Sequence, residues 1–499
     1  MNDLAGRTLA ATFAHAPEPD RLEILRDALV ALDGDGRIAR VLRADDAGHA
    51  EARTEVSRAG TLVTAPADTL VLPGFVDLHI HAPQYPQLGK ALDVRLEDWL
   101  QRYTFPLEAK YADIAFARAS YTALVGDLIA NGTTTAVYFA TVHQEATRLL
   151  VDICLDRGQR AFVGKVAMDN ADECPDYYRD ATTEDGIAGT RALIDYVRSH
   201  PNNRGLVEPI ITPRFVPSCT DAMLDGLGAI AKECGCAVTT HCSESDWEHG
   251  YVLNRYGISD TEALDGFGLL TRRTVLAHSN LISPTDMERI AARGSGVAHC
   301  PLSNVYFSNA VFPLRAALAK GVRVGLGTDI AGGPSASMFD SCRMAVAASR
   351  MLEDGVEPSL PPETRGRPGS RIDFRTALHL ATAGGADVLS FRRSAGRSAR
   401  RPGQPSPLGR RQRRRLCAEG DIRRDAGEYR DGLDRGKGAH CGLANSPVRR
   451  PTGRGQRGRL RHRRYRWTRR RFFIRLIRRR RLRRDEHADR GQAREAVAE

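Results

Sequence analysis

The sequence predicts an α/β protein whose main body is a (β/α)8 TIM-like barrel of parallel strands, joined to a small β-domain. Two observations carry this. Eight short apolar, β-branched runs alternate with helix-like stretches between residues 70 and 328, and polar residues suited to chemistry collect at the C-terminal ends of those runs. A third observation bounds the fold: the regular pattern stops near Ser390.

The eight runs are Leu70–Leu78, Thr133–Ala140, Ala161–Met168, Val207–Pro213, Ala237–His241, Thr274–His278, Gly296–Cys300 and Val322–Thr328. The first leads into His79 and His81, the fifth closes with His241, the sixth with His278, and Asp329 follows the eighth. Side chains on a strand alternate faces, so His79 and His81 project together while Ile80 points the other way. Upstream, Asp33-Gly34-Asp35-Gly36 separates two apolar runs and predicts a hairpin. Residues 1–68 are therefore expected to form the N-terminal part of a small, incomplete β-sandwich domain, and residues 69–390 the barrel. The stretch from Ala82 to about Asn131 is longer than an ordinary βα connection and carries Trp99, Tyr103 and Phe105. It suits either a substrate-covering lid or plain helix packing.

Charge divides the chain in two. Residues 391–499 hold 35 Arg, 1 Lys and 11 acidic residues, a net +25, whereas residues 1–390 hold 37 basic and 50 acidic residues, a net −13. Only 15 of those last 109 residues are Leu, Ile, Val or Phe, about 14 %, which is too few for a core. The segment is expected to be disordered, and three origins compete. Out-of-frame translation of a GC-rich gene would give such a composition, and restoring one or two bases near codon 390 should then recover apolar strands. A genuine basic tail could bind nucleic acid through Arg461 to Arg471, where Tyr465 and Trp467 are interleaved. Alternatively, Arg471-Phe472-Phe473-Ile474-Arg475-Leu476-Ile477 could touch a membrane surface.

No stretch of about 18 uninterrupted apolar residues occurs, and the N-terminus lacks a basic-then-apolar leader, so no membrane span and a cytoplasmic location are expected. The ten cysteines include one C-x-C (Cys234, Cys236) and no C-x-x-C, which fits scattered thiols.

The chemistry follows from which ligands could meet. Imidazoles together with a carboxylate suit a borderline metal such as zinc, with one position left for a water whose pKa falls towards 7. Such a centre needs a proton shuttle, and Glu244 lies three residues beyond His241. Neither H-E-x-x-H, a phosphate-binding glycine loop, nor the H-x-E with P-C-x-x-C zinc signature is present.

At this point the residues carry a resemblance. Phe75-Val76-Asp77-Leu78-His79-Ile80-His81, His241-x-x-Glu244, Ala277-His278, Ala298-His299-Cys300-Pro301 and Gly325-Leu326-Gly327-Thr328-Asp329 together resemble the amidohydrolase superfamily. More narrowly, Ala82-Pro83-Gln84-Tyr85, Tyr103-Thr104-Phe105-Pro106, Asn131-Gly132-Thr133-Thr134-Thr135, Val163 to Asp169 and Thr212-Pro213-Arg214-Phe215 are similar to its guanine-deaminase family. The resemblance implies zinc-dependent hydrolytic deamination of guanine to xanthine and ammonia, with His79, His81, His241 and Asp329 as zinc ligands. It implies Glu244 and Asp329 as proton carriers and His278 as support for the reacting oxygen. Gln84, Arg214, Phe215 and His278 would hold the purine, bordered by His81, His241 and Glu244. The end of the fourth run reads Thr212-Pro213-Arg214, where two-metal members carry a bridging lysine, so one zinc per subunit is expected. Homodimerisation is left open. The alternatives are a cytosine-, adenosine-like- or triazine-type hydrolase of the same superfamily, and, in a different class, a nucleic-acid-binding protein acting through its basic tail.

Overall fold

The structure, a computed structural model, describes residues 4–307 and 310–390. All three readings of the Arg-rich stretch concern residues 391–499 and lie outside the described residues.

The N-terminal sheet contains β1 (Thr8–Glu18), β2 (Arg21–Leu32), β3 (Ile38–Leu42), β4 (Leu62–Thr64) and β5 (Leu70–Val71). Its order is β3-β2-β1-β4, with β5 also pairing with β1. The β2–β3 hairpin turns where the sequence predicts it. The Asp33 carboxylate accepts the N–H groups of Asp35 and Arg37, and Gly36 adopts φ 76°, a left-handed conformation suited to glycine. Among the described residues this domain is one five-stranded sheet, the incomplete sandwich the sequence predicts. Ile24, Ile38 and Val41 are accordingly 47, 67 and 42 % exposed.

The main sheet contains β6 (Phe75–His81), β7 (Thr133–Phe139), β8 (Arg160–Gly164), β9 (Val166–Ala167), β10 (Val207–Pro213), β11 (Ala237–Cys242), β12 (Thr274–His278), β13 (Gly296–His299) and β14 (Arg323–Leu326). They run parallel in sequence order, with β9 and β8 both pairing with β10. Two expected runs are broken. Pro73-Gly74 splits Leu70–Leu78, so Leu70–Val71 joins the small sheet and the barrel starts at Phe75; proline has no N–H to give a ladder. Lys165 interrupts the third run, its ammonium donating to the Val166 carbonyl and to buried Asp180 at 2.6 Å.

The barrel is nearly closed, and the loop after β14 makes the closure. Thr328 donates its N–H and hydroxyl to the Asp77 carboxylate (3.0 and 2.6 Å), Asp329 N–H donates to His79 O (2.9 Å), and His81 N–H donates to Ile330 O (2.8 Å). Gly327 is required here, because a Cβ would stand 2.9 Å from both Cys300 Sγ and His79 Cβ.

Helices between the strands are bounded by local chemistry. Thr182, Thr220, Ser245 and Ser283 cap the starts of Thr183–Ser199, Asp221–Cys234, Asp246–Tyr256 and Pro284–Arg293 with their side chains. Gly158, Gly235, Gly257 and Gly294 end helices in the left-handed conformation. The Ala82–Asn131 insertion is largely helical. Its Trp99, Tyr111, Tyr121 and Leu124 pack with Ile80 in one apolar cluster, which is where the alternation along β6 sends Ile80. Among the described residues no helix is long and apolar enough to cross a membrane.

Candidate active site

The site is assembled at the C-terminal ends of β6, β10, β11, β12 and β14. His79 and His81 project together from β6 with ring centres 4.9 Å apart, and His241 of β11 lies 4.8 Å from His79 and 5.0 Å from His81. His278 ends β12 with φ 67°, and Asp329 follows β14 with φ 50°. Phe139, the last residue of β7, packs against all three imidazoles at 4.8 to 4.9 Å.

The donor atoms converge. His81 Nε2 and His241 Nε2 are 3.0 Å apart, His79 Nε2 and Asp329 Oδ1 3.1 Å, and His81 Nε2 and Asp329 Oδ1 3.6 Å. Two donors each about 2.0–2.1 Å from one tetrahedral ion would be about 3.3 Å apart, so these spacings suit a shared metal. Burial, joined by neighbouring cationic groups, holds His79, His81 and His241 well below the usual histidine pKa, leaving neutral imidazoles with lone pairs. His241 Nδ1–H donates to the Arg214 carbonyl (2.6 Å), which directs its Nε2 at the cluster. Both ring nitrogens of His79 are buried without a hydrogen bond. Leaving such groups unsatisfied costs about 1–3 kcal/mol each, so the donor set fits a cation at its centre.

The proton-bearing groups stand beside it. His278 Nδ1–H donates to Asn304 Oδ1 (2.8 Å), which aims Nε2 at Glu244 (3.5 Å) and Asp329 (3.9 Å). Burial and the nearby Asp329 push the Glu244 carboxyl well above the ordinary range, and burial also raises Asp329 against the opposing pull of His278. His299, at the end of β13, is held at about 3 by burial and by His278. Glu244 is clamped through its backbone: its N–H donates to Glu248 (2.7 Å) and its carbonyl accepts from Asn280 (2.9 Å).

A pocket opens over these groups, bordered by His81, Gln84, Arg214, Phe215, Glu244 and Asp329, with Trp99 and Leu100 from the insertion. Gln84 sits on the short helix Ala82–Gln87 directly after β6. Of the insertion's aromatics, Trp99 lines the pocket, Phe105 lies beneath the Arg214 guanidinium (5.0 Å), and Tyr103 is 38 % exposed. Every site residue named from sequence falls in this one region. His79 and His278 lie at its base rather than on the pocket wall.

Sequence reading missed Glu108, Phe139 and Asn304, and assigned no role to Asp77. Phe139 ends its strand at the level where the other runs carry functional groups, which is a usable signal. Glu108 offers only its position three residues after Phe105 in a motif already singled out.

The amidohydrolase family model matches residues 70–399. The chain belongs to the amidohydrolase family. Among its amidohydrolase relatives, the probable guanine deaminase of Schizosaccharomyces pombe is 40 % identical over 322 residues, which is 64 % of this chain and 59 % of that one. The guanine deaminase of Homo sapiens is 39 % identical over 386 residues, 76 % of this chain and 81 % of that one. A crystal structure of guanine deaminase from C. acetobutylicum, with guanine bound in its active site, superposes with a TM-score of 0.69 at 30 % identity, covering 77 % of this chain and 86 % of that chain.

Proposed function

We propose that this amidohydrolase deaminates guanine to xanthine and ammonia, with one zinc ion held by His79, His81, His241 and Asp329. The observation that carries the reading is the meeting of two unlike groups of residues at one pocket. One group is the His/Asp donor set; the other is Gln84, Arg214 and Phe215, a planar donor fork and an amide beside an aromatic face. When bound, the ion acidifies water so that a nucleophile is available near neutral pH.

The chain's own residues do the rest. Arg214 and Gln84 hold the polar edge of the purine through its ring carbonyl, and Phe215 covers its face. His81 and His241 border the ring at the reacting carbon. Glu244, whose carboxyl burial and Asp329 push towards the protonated form, gives its proton to a ring nitrogen. Asp329 takes one proton from water and passes it to the departing amine, which leaves as ammonia, while Glu244, ionised by its first transfer, recovers the second water proton as the new carbonyl forms. His278 Nε2 steadies the oxygen of the tetrahedral intermediate.

The same reading keeps a small N-terminal domain and a barrel ending at residue 390, with the boundary moved from residue 68 to beyond Leu70–Val71, which pairs with the small sheet. It also keeps a cytoplasmic location, consistent with eight described cysteines standing as thiols. Ammonia release tests the substrate: guanine should yield ammonia and xanthine, while cytosine and adenine yield none. Release from adenine or a triazine but not from guanine would shift the assignment to another substrate of the superfamily.

A further inference from the structure

Gln84 and Arg214 line the pocket, whereas Glu108 stands behind them. Glu108 is fully buried on the short helix Phe105–Ala109 of the insertion. Its Oε2 accepts from Arg214 Nη1 (2.7 Å), and its Oε1 accepts from Arg214 Nη2 (3.2 Å) and from Gln84 Nε2 (2.8 Å). The Gln84 Oε1 accepts from Ala331 N–H (3.1 Å), in the loop that closes the barrel. One carboxylate therefore grips both recognition side chains, and a second contact settles which end of the Gln84 amide points where. Two of the five Arg214 donors are spent on Glu108, and the rest can serve a ligand only in the plane this fork dictates.

We infer that Glu108 is a positioning residue for specificity: by orienting Arg214 and Gln84 together, it makes their wall of the pocket recognise a purine edge that bears a carbonyl acceptor. The inference rests on the guanine-deaminase reading and deepens it. The wall as built presents chiefly N–H donors. A substrate with hydrogen in place of the ring carbonyl leaves those donors unpaired, which is how a polar pocket rejects an analogue. Glu108 also ties the insertion to the barrel, since it sits on Phe105–Ala109 and holds Arg214, the residue directly after β10.

The experiment compares guanine with 2-aminopurine, which is guanine without the ring carbonyl, in the metal-loaded full chain. Glu108→Gln keeps the shape and removes the charge and one acceptor; Glu108→Asp keeps the charge compensating buried Arg214 and shortens the reach, so a folded variant remains if the first does not fold. Both are expected to lower kcat/KM for guanine by about 100-fold, mostly through KM, with zinc content unchanged. The preference for guanine over 2-aminopurine should fall by about tenfold or more, and crystal structures should show the Arg214 fork and the Gln84 amide displaced. An equal loss on both substrates, or Glu108→Asp retaining wild-type selectivity, would show that Glu108 only neutralises Arg214 and would overturn the inference. If the wild-type protein releases no ammonia from guanine, the functional reading fails by itself. The positions of Arg214 and Gln84 in Glu108→Asp then still decide whether Glu108 orients them, undisplaced side chains overturning the inference.

Discussion

Glu244 and His249 sit five residues apart and put different physics at risk. Glu244 is buried, raised in pKa and within 3.5 Å of His278, so Glu244→Gln removes a proton carrier while keeping size and polarity. Turnover is expected to fall by at least about 1,000-fold with zinc still bound, as read by steady-state assay and metal analysis. His249 is outside the His/Asp donor set; its Nδ1 lies 3.1 Å from the buried Asp260 carboxylate, which also accepts the Ser243 hydroxyl. Asp260 raises the His249 pKa above 6.5, so the folded state binds that proton more tightly than the unfolded chain. The stabilisation is complete below the unfolded value and disappears as pH rises through the higher folded one. His249→Gln should therefore lower Tm more at pH 5.5 than at pH 9, with an energy difference of about 1–2 kcal/mol at most. A Tm loss independent of pH would contradict this.

At the level of elements, what matters is how the β14 loop meets β6. The backbone bonds from Asp329 to His79 and from His81 to Ile330 place two segments some 250 residues apart in the chain within one ligand set. Gly327 permits that approach, and Gly327→Ala is expected to cost about 1–3 kcal/mol through overpacking. Because the intruding methyl would press on His79 Cβ, zinc stoichiometry should fall along with Tm; a lower Tm with full zinc would place the strain elsewhere. Strand positions were legible because buried parallel strands read as short apolar runs between turn residues. The two breaks were legible only in part. Pro73 is visible as a ladder breaker, but the departure at Lys165 depends on Asp180, fifteen residues on, accepting its ammonium in a buried site.

For the whole molecule, the exposed apolar residues of the small sheet carry the consequence. Ile38 and Val41 lie on edge strand β3, and Ile24 on its neighbour β2, all at least 42 % exposed. Apolar edges of this kind invite pairing with other chains. The chain is expected to aggregate at micromolar concentration, and replacing Ile24, Ile38 and Val41 with threonine should reduce light scattering without changing activity. Unchanged aggregation would remove the sheet edge as its cause. The family match ends at residue 399, close to where the composition turns Arg-rich, so the two kinds of sequence are separated by homology as well as by charge.

By itself the sequence determined the barrel, the hairpin ahead of it and the strand ends at which His79, His81, His241, His278 and Asp329 gather. Periodicity and turn chemistry are local properties, and in a parallel barrel the strand ends converge by construction. Only the tertiary structure decided which side chains touch. Glu108 meets Arg214 across 106 residues of chain, and Asp77 meets Thr328 across 251; neither partner alters the local pattern around the other. A buried charge or hydrogen bond of that kind is chosen by packing, because the groups must be satisfied wherever the fold brings them together.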